Sequence, residues 1–195
     1  MPNETANRAL AHVRKRSTMK RAANDFYRTP ERCTKALLAV EPFGDFVWEP
    51  ACGDGAISRV LEQSGRFVVS TDLNDYGYGA PGHDFLAASC LCAPEIITNP
   101  PYTLADEFVL HALNLGATKV AMLLRLAWLE GRARHQRLFA EHPPTRVWVF
   151  SGRQTLWAAD DPNPRTTGGA IAFAWFVWDA ETFPGSSPRL GWLQT

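Results

Sequence analysis

No apolar run in this 195-residue chain approaches the roughly 20 residues that a membrane span needs, which excludes a membrane-embedded protein. The N-terminal region carries basic residues with no apolar stretch behind them, so a secretory leader is not expected and a cytoplasmic address follows. Cysteine is scarce: Cys33, Cys52, Cys90 and Cys92 lack the paired C-x-x-C spacing of a zinc site, so no metal is expected and the thiols read as buried or neutral. Internal repeats and low-complexity tracts are missing. What is present, 46% hydrophobic and 21% charged residues, is the balance of a soluble globular chain, enough for one core and too little for two.

Net charge is missing too, with 20 Lys plus Arg against 20 Asp plus Glu, but the zero total hides a segregation. Residues 1–40 carry nine basic and three acidic side chains, 41–110 two and eleven, and 111–195 nine and six, giving balances of +6, −9 and +3. An anion-binding face built from the two chain ends fits this pattern, and so does a plain dipole. Residues 1–24 read as a basic arm: Arg8, Arg14, Lys15, Arg16, Lys20 and Arg21 face only Glu4. A partly helical arm and a disordered tail are both compatible with it.

From Asp25 onward, apolar extended runs alternate with helical stretches, the grammar of an α/β layer fold with a mainly parallel sheet. Thr29-Pro30 opens a helix, with Thr29 at the N-cap and Pro30 at the first helical position. Strands are predicted at 45–49, 67–71, 83–86, 95–98 and 119–124, with helices at 57–64, 104–115 and 132–141. The runs 146–150 and 170–178 have no helix between them and should pair as an antiparallel hairpin. Their connection, 151–169, is long, and long loops in compact domains are more often functional than ornamental.

Two constellations carry chemistry. In Trp48-Glu49-Pro50-Ala51-Cys52-Gly53-Asp54-Gly55, an apolar strand ends in an acid and a glycine turn before a helix, where backbone can approach a ligand closely. Asp72 ends the next strand, where an acid can accept from both hydroxyls of a ribose. Ser58 occupies the place of the third glycine of the dinucleotide fingerprint, which argues for a nucleoside-type ligand without a pyrophosphate. The second constellation is Asn99-Pro100-Pro101-Tyr102 at the end of the fourth strand. Consecutive prolines fix φ and bar the α region at Asn99 and Pro100, so the segment is stiff before any ligand arrives. A rigid pair of acceptors beside an aromatic face suits a planar ring with an exocyclic amino group.

NPPY after the fourth strand, with the strand–acid–P-A-C-G-D-G turn upstream, resembles the S-adenosylmethionine-dependent amino-group methyltransferases, above all the N6-adenine DNA methyltransferases. Asp25-Phe26-Tyr27-Arg28-Thr29-Pro30 resembles that family's N-terminal motif, and Asp84-Phe85 the motif after its third strand. The resemblance covers residues 25–178 and implies a single class I methyltransferase catalytic domain, Rossmann-like, over 25–195. Its seven-stranded, mainly parallel sheet would carry helices on both faces and end in an antiparallel β-hairpin. It implies S-adenosylmethionine as cofactor and DNA as partner. Thr29 would bind the cofactor's carboxylate beside Tyr27. Glu49, Pro50, Ala51, Cys52, Gly53, Asp54 and Gly55 would line its methionine and ribose. Asp72 with Leu73 would take the ribose hydroxyls, and Asp84 with Phe85 the adenine. Asn99 and the Pro100 carbonyl would accept both hydrogens of the target amine, with Pro101 stiffening the turn and Tyr102 stacking on the extruded base.

The amine's lone pair is delocalised into its ring, so it is a poor nucleophile. No side chain needs to abstract a proton before attack, and two acceptors that bias the nitrogen toward tetrahedral geometry would put the lone pair in line with the methyl-sulfonium carbon. Arg125, Arg132, Arg134 and Arg153 are the candidates for phosphate contacts. Sequence-specific relatives carry a separate recognition domain, and only 17 residues follow Trp178 here. Specificity would then come from the 151–169 connection, the basic arm or a partner, in a small enzyme of bacterial or phage type. RNA adenine, protein glutamine and a silent nucleic-acid-binding module are the alternatives.

Overall fold

The computed structural model describes residues 23–158, 161, 169, 171–182 and 187–194. Most of the 1–24 arm and much of the 151–169 connection lie outside the described residues.

Continuous apolar runs build the middle of the sheet, because a strand covered on both faces has no polar side. In β5 (Lys119–Arg125) residues 119–124 are all buried, and in β8 (Phe173–Asp179) residues 173–178 are. With β2 (Phe46–Glu49), β3 (Phe67–Ser70), β4 (Glu95–Thr98), β6 (Arg146–Phe150) and β9 (Arg189–Leu193) they form a seven-stranded sheet in the order β3-β2-β4-β5-β8-β6-β9. Only β8 runs against the others. A separate two-stranded ribbon pairs β1 (Tyr27–Arg28) with β7 (Trp157–Ala158).

Alternation along the strands sends side chains to two cores. Val120, Met122 and Leu124 pack on one face with Phe108, Val109 and Ala112 of α3 (Ala105–Asn114). Leu138 joins them from α4, a short α turn (Arg132–Arg134) that runs into a π turn (His135–Phe139). Ala121 and Leu123 pack on the other face with Cys33 and Leu37 of α1 (Glu31–Leu38) and Leu61 of α2 (Ser58–Gln63). Helices thus cover both faces. Among the described residues no helix is long and apolar enough to cross a membrane.

At the sheet end where the parallel strands start, buried Glu41 accepts from both the guanidinium of Arg146 and Trp148 Nε1, and Asp179 accepts from Arg146 and Lys119. Burial alone would raise Asp179, but the bonds from Arg146 and Lys119 outweigh it and hold its carboxyl below the ordinary range. This cluster ties α1, β5, β6 and β8 together at the end away from the chemistry.

Several expectations need correction. The 83–86 strand does not form: Asp84 caps a 3₁₀ turn (Phe85–Ala87) by accepting from Leu86 N, because Phe85 is drawn in against Trp48, Phe108 and His111. Pro30, not Thr29, occupies the N-cap of α1, since the Thr29 hydroxyl is turned elsewhere. The seventh strand is instead β9, which pairs in parallel with β6. Cys33 and Cys52 are buried, with burial pushing both thiols up to about 12, whereas Cys90 and Cys92 are exposed.

Candidate active site

The C-terminal ends of β2, β3 and β4 bring the two constellations together. After Glu49 the chain turns through Gly53 (φ +54°) and Gly55 (φ +81°), left-handed conformations that glycine adopts without strain. Neither could carry a side chain: a Cβ on Gly53 would lie 2.4 Å from the Phe26 ring, and one on Gly55 2.6 Å from Tyr78. The turn is fastened from β3. Gly53 N and Asn74 N donate to the two carboxylate oxygens of buried Asp72, at 2.9 and 2.8 Å, which leaves each oxygen a further lone pair.

Glu49 is 1% exposed and accepts from Ser58 Oγ, which in turn lies 2.7 Å from Ser70 Oγ. Ser58 therefore does not merely replace a glycine; it links β2, β3 and α2. Burial raises Glu49 well above the ordinary carboxylate range; the Asp72 and Asp54 charges add to this, and the bonds from Ser58 oppose it. A carboxylate raised by folding subtracts stability once pH exceeds its unfolded value and subtracts nothing below it. Glu49→Gln should therefore raise Tm at pH 7–8, with the difference from wild type shrinking as pH falls toward 4, as thermal unfolding across a pH series would show.

The acceptor turn lies across the same opening. Asn99 Nδ2 donates to the Tyr27 carbonyl at 2.8 Å and to Thr29 Oγ1 at 3.1 Å, while Asn99 Oδ1 is buried with no hydrogen-bond partner. Pro100 is buried behind it, and Pro101 leads into a 3₁₀ turn (Tyr102–Leu104) before α3. The Tyr102 ring is already surrounded: Tyr27 stacks on it at 5.7 Å, Phe173 leans against it at 6.1 Å, and the Arg125 guanidinium lies 4.9 Å over it. Burial pushes its hydroxyl upward, against the opposing pull of Arg125.

A cavity of about 450 Å³ joins these parts. Its walls come from residues 24–27, Pro50 and Ala51, residues 72–74, residues 83–86, and Asn99, Pro101 and Phe108. Thr29, Glu49, Cys52 and Asp54 line a small recess that shares Phe26, Tyr27, Ala51 and Asn99 with it. Gly53 and Gly55 line neither of them, and lie against the Phe26 and Tyr78 rings respectively. Leu73 is exposed at the rim, and Asp84, also exposed, has one oxygen engaged by Leu86 N.

Residues 23–28 form a strap over this cavity, a feature that sequence reasoning missed. Asn24 donates to Tyr76 Oη at 3.2 Å, Phe26 packs on Tyr76 with ring centroids 4.3 Å apart, Asp25 accepts from Thr103 N, and Arg28 pairs with Asp54 at 3.0 Å. Asn24 and Asp25 hold positive φ of 53° and 57°, which costs of order 1–3 kcal/mol per residue and persists where surrounding contacts demand it. The Asp-Phe-Tyr motif marked the neighbourhood and included Phe26, but nothing in the sequence singled out Asn24.

The predicted phosphate-binding arginines separate. Arg134 is spent internally: it donates to Asp106 at 2.7 Å and to the carbonyls of Trp128 and Glu130, both at 2.8 Å. Burial works against Asp106, but Arg134, Arg137 and Trp128 outweigh it and hold its carboxyl below the ordinary range. Arg134→Ala should lower stability by about 1–3 kcal/mol, read as a fall in Tm, without altering the salt dependence of polynucleotide binding. Arg132 and Arg153 are exposed, and Arg125 borders an open groove of about 640 Å³ with Leu126, Ala127, Leu129, Glu130, Ile171 and Ala172.

Comparison with solved structures finds the same architecture elsewhere. A protein assigned as a class I S-adenosylmethionine-dependent methyltransferase from Listeria monocytogenes superposes with a TM-score of 0.60 at 12% identity, over 96% of this chain and 71% of that one. The fold is that of the class I methyltransferases. A protein assigned as the modification subunit of a type I restriction enzyme from Vibrio vulnificus gives 0.56 at 14% identity, over 97% of this chain and 50% of that one. One assigned as an RNA methyltransferase from Pyrococcus horikoshii gives 0.57 at 16%, over 89% and 97%. No family model matches the sequence, and no curated protein matches it. On this methyltransferase fold the cavity opens at the carboxyl ends of the parallel strands, where open α/β sheets bind ligands.

Proposed function

We propose that the chain transfers a methyl group from S-adenosylmethionine to the exocyclic N6 amine of adenine in DNA. The observation that carries this reading is Asn99, which lines the cavity and whose carboxamide has its nitrogen committed and its oxygen buried without a partner. A buried orphan acceptor costs about 1–3 kcal/mol, a cost that a bound N–H donor removes.

The remaining residues fit the cofactor. Asp72 keeps a lone pair on each oxygen for ribose hydroxyls, Asp84 keeps one oxygen for an adenine amino group, and buried Glu49 at the recess suits a cationic amino group. Bound there, S-adenosylmethionine supplies an electrophilic methyl group. Asn99 Oδ1 and the Pro100 carbonyl accept the amine's hydrogens, which turns its lone pair out of the ring plane and stabilises the developing ammonium charge. Positioning of this kind lowers barriers by up to roughly 7–11 kcal/mol, and fixed acceptors add electrostatic stabilisation. No side chain has to remove a proton before attack.

Nucleic acid as the polymer is supported by the basic arm, by exposed Arg132 and Arg153, and by fold likeness to proteins assigned as a restriction modification subunit and an RNA methyltransferase. The test is transfer from labelled S-adenosylmethionine to unmethylated DNA, RNA and protein in parallel, with nucleoside analysis. N6-methyladenine in DNA alone is expected. Label in RNA or on glutamine would keep the acceptor role of Asn99 and overturn the substrate.

A further inference from the structure

Thr29 stands one residue before the N-cap of α1, Pro30, close enough to the first turn for its hydroxyl to be expected there. It makes no such cap. Thr29 is 4% exposed, and its Oγ1 accepts an N–H of the Asn99 carboxamide at 3.1 Å, while the Tyr27 carbonyl accepts the other at 2.8 Å. A backbone carbonyl can only accept, so the atom of Asn99 that faces it is the nitrogen, and the oxygen is the atom left over. Thr29 borders the small recess and not the main cavity.

We infer that Thr29 is a positioning residue for Asn99: with the Tyr27 carbonyl it holds the carboxamide so that Oδ1, not Nδ2, meets the amine to be methylated. This rests on the reading of Asn99 as amine acceptor, and it assigns Thr29 a task other than the carboxylate contact implied by the family resemblance. The two ends of a carboxamide are alike in shape and opposite in hydrogen bonding, and the terminal torsion that exchanges them is soft and roughly two-fold. A flipped Asn99 would aim two N–H groups at an amine that also presents N–H, a repulsive contact in a buried place. The Tyr27 carbonyl, which can only accept, decides which end of the carboxamide faces it; the Thr29 hydroxyl, which could also donate to a flipped oxygen, adds the second bond that holds the torsion in place. The lock acts on the reacting geometry, and because Thr29 also lines the recess beside Glu49, cofactor affinity has to be read separately.

The test uses the full chain with Thr29→Val, which keeps shape and loses the acceptor, and Thr29→Ser, which keeps the acceptor. Three quantities are read: the Kd for S-adenosylhomocysteine by calorimetry, kcat and KM on unmethylated DNA at saturating S-adenosylmethionine, and solvent exchange of the Asn99 side-chain amide pair by ¹⁵N NMR, assigned through its loss in Asn99→Asp. Thr29→Val should leave the Kd within about twofold, lower kcat by roughly tenfold with KM little changed, and speed the amide exchange by a similar factor, the worth of one hydrogen bond. Thr29→Ser should restore all three toward wild type. A Kd weakened about tenfold with kcat intact at saturation would make Thr29 a cofactor ligand and overturn the lock, as would unchanged amide exchange in Thr29→Val. Should wild type methylate RNA instead of DNA, the same split of kcat from KM is read on RNA. Should it methylate neither, the substrate reading fails, and the exchange and Kd measurements still decide the role of Thr29.

Discussion

Asn99→Ala should abolish methyl transfer, with kcat down by about 10²-fold or more, while S-adenosylhomocysteine binds within a few-fold of wild type. The substitution deletes a buried acceptor that has no partner, on a residue lining the cavity, and it deletes a side chain whose nitrogen bonds Tyr27 and Thr29 rather than Asp72 or Asp84. Single-turnover kinetics alongside calorimetry separates the two quantities. Asn99→Asp should fare little better. A carboxylate still accepts from the amine, but its second oxygen would then face the Tyr27 carbonyl, acceptor against acceptor. Loss of cofactor binding in Asn99→Ala, in a variant that unfolds like wild type, would remove Asn99 from the acceptor role.

The second large effect belongs to Asp72. Asp72→Ala should weaken S-adenosylhomocysteine by about 10- to 100-fold or more, because each hydrogen bond to a charged group is worth about 1.5–3 kcal/mol. Two causes act in the same direction. The ribose hydroxyls lose their acceptors, and Gly53 N and Asn74 N, which the carboxylate now holds at 2.9 and 2.8 Å, lose theirs, so the glycine turn loosens as well. Asp72→Asn keeps one acceptor oxygen and should fall between alanine and wild type. At saturating cofactor, where enough can be supplied, kcat should recover, the opposite of Asn99→Ala. Unchanged affinity in Asp72→Ala would place the ribose elsewhere.

What the sequence makes legible here is local chemistry. Val47 and Trp48 before an acid and two glycines, or Ile96 and Ile97 before Asn-Pro-Pro, specify strand and turn with few other options, and both were recognisable as parts of one site. Elements that need a distant partner were not legible. In β9, Gly191 lies so close under Trp148 that a Cβ would fall 2.1 Å from the indole, a packing that no pattern within Arg189–Leu193 announces. The two residues of β1 carry no periodicity, and their pairing with β7 spans the chain. Asp84-Phe85 shows competition between levels: the run looks extended, yet an Asp able to cap and a Phe drawn into the core favour a turn. Arg134 looked like a surface cation because charge is visible in sequence, whereas the Asp106 carboxylate that absorbs it, 28 residues away, is not.

The strap over the cavity has a consequence for how this protein would fail when heated. Among the described residues its ribbon to β7 comprises two residue pairs, and its bonds to Tyr76, Thr103 and Asp54 lie partly in solvent. The bonds that orient Asn99 join residues 70 and 72 positions apart and come from the segment at the end of that strap. Short, partly solvent-exposed segments open at free energies below that of the whole domain. Opening at the strap would turn Asn99 loose and uncover the cofactor together, with the sheet still intact. Catalysis should thus fade several degrees before the tryptophans of the core report melting, and return at once on cooling.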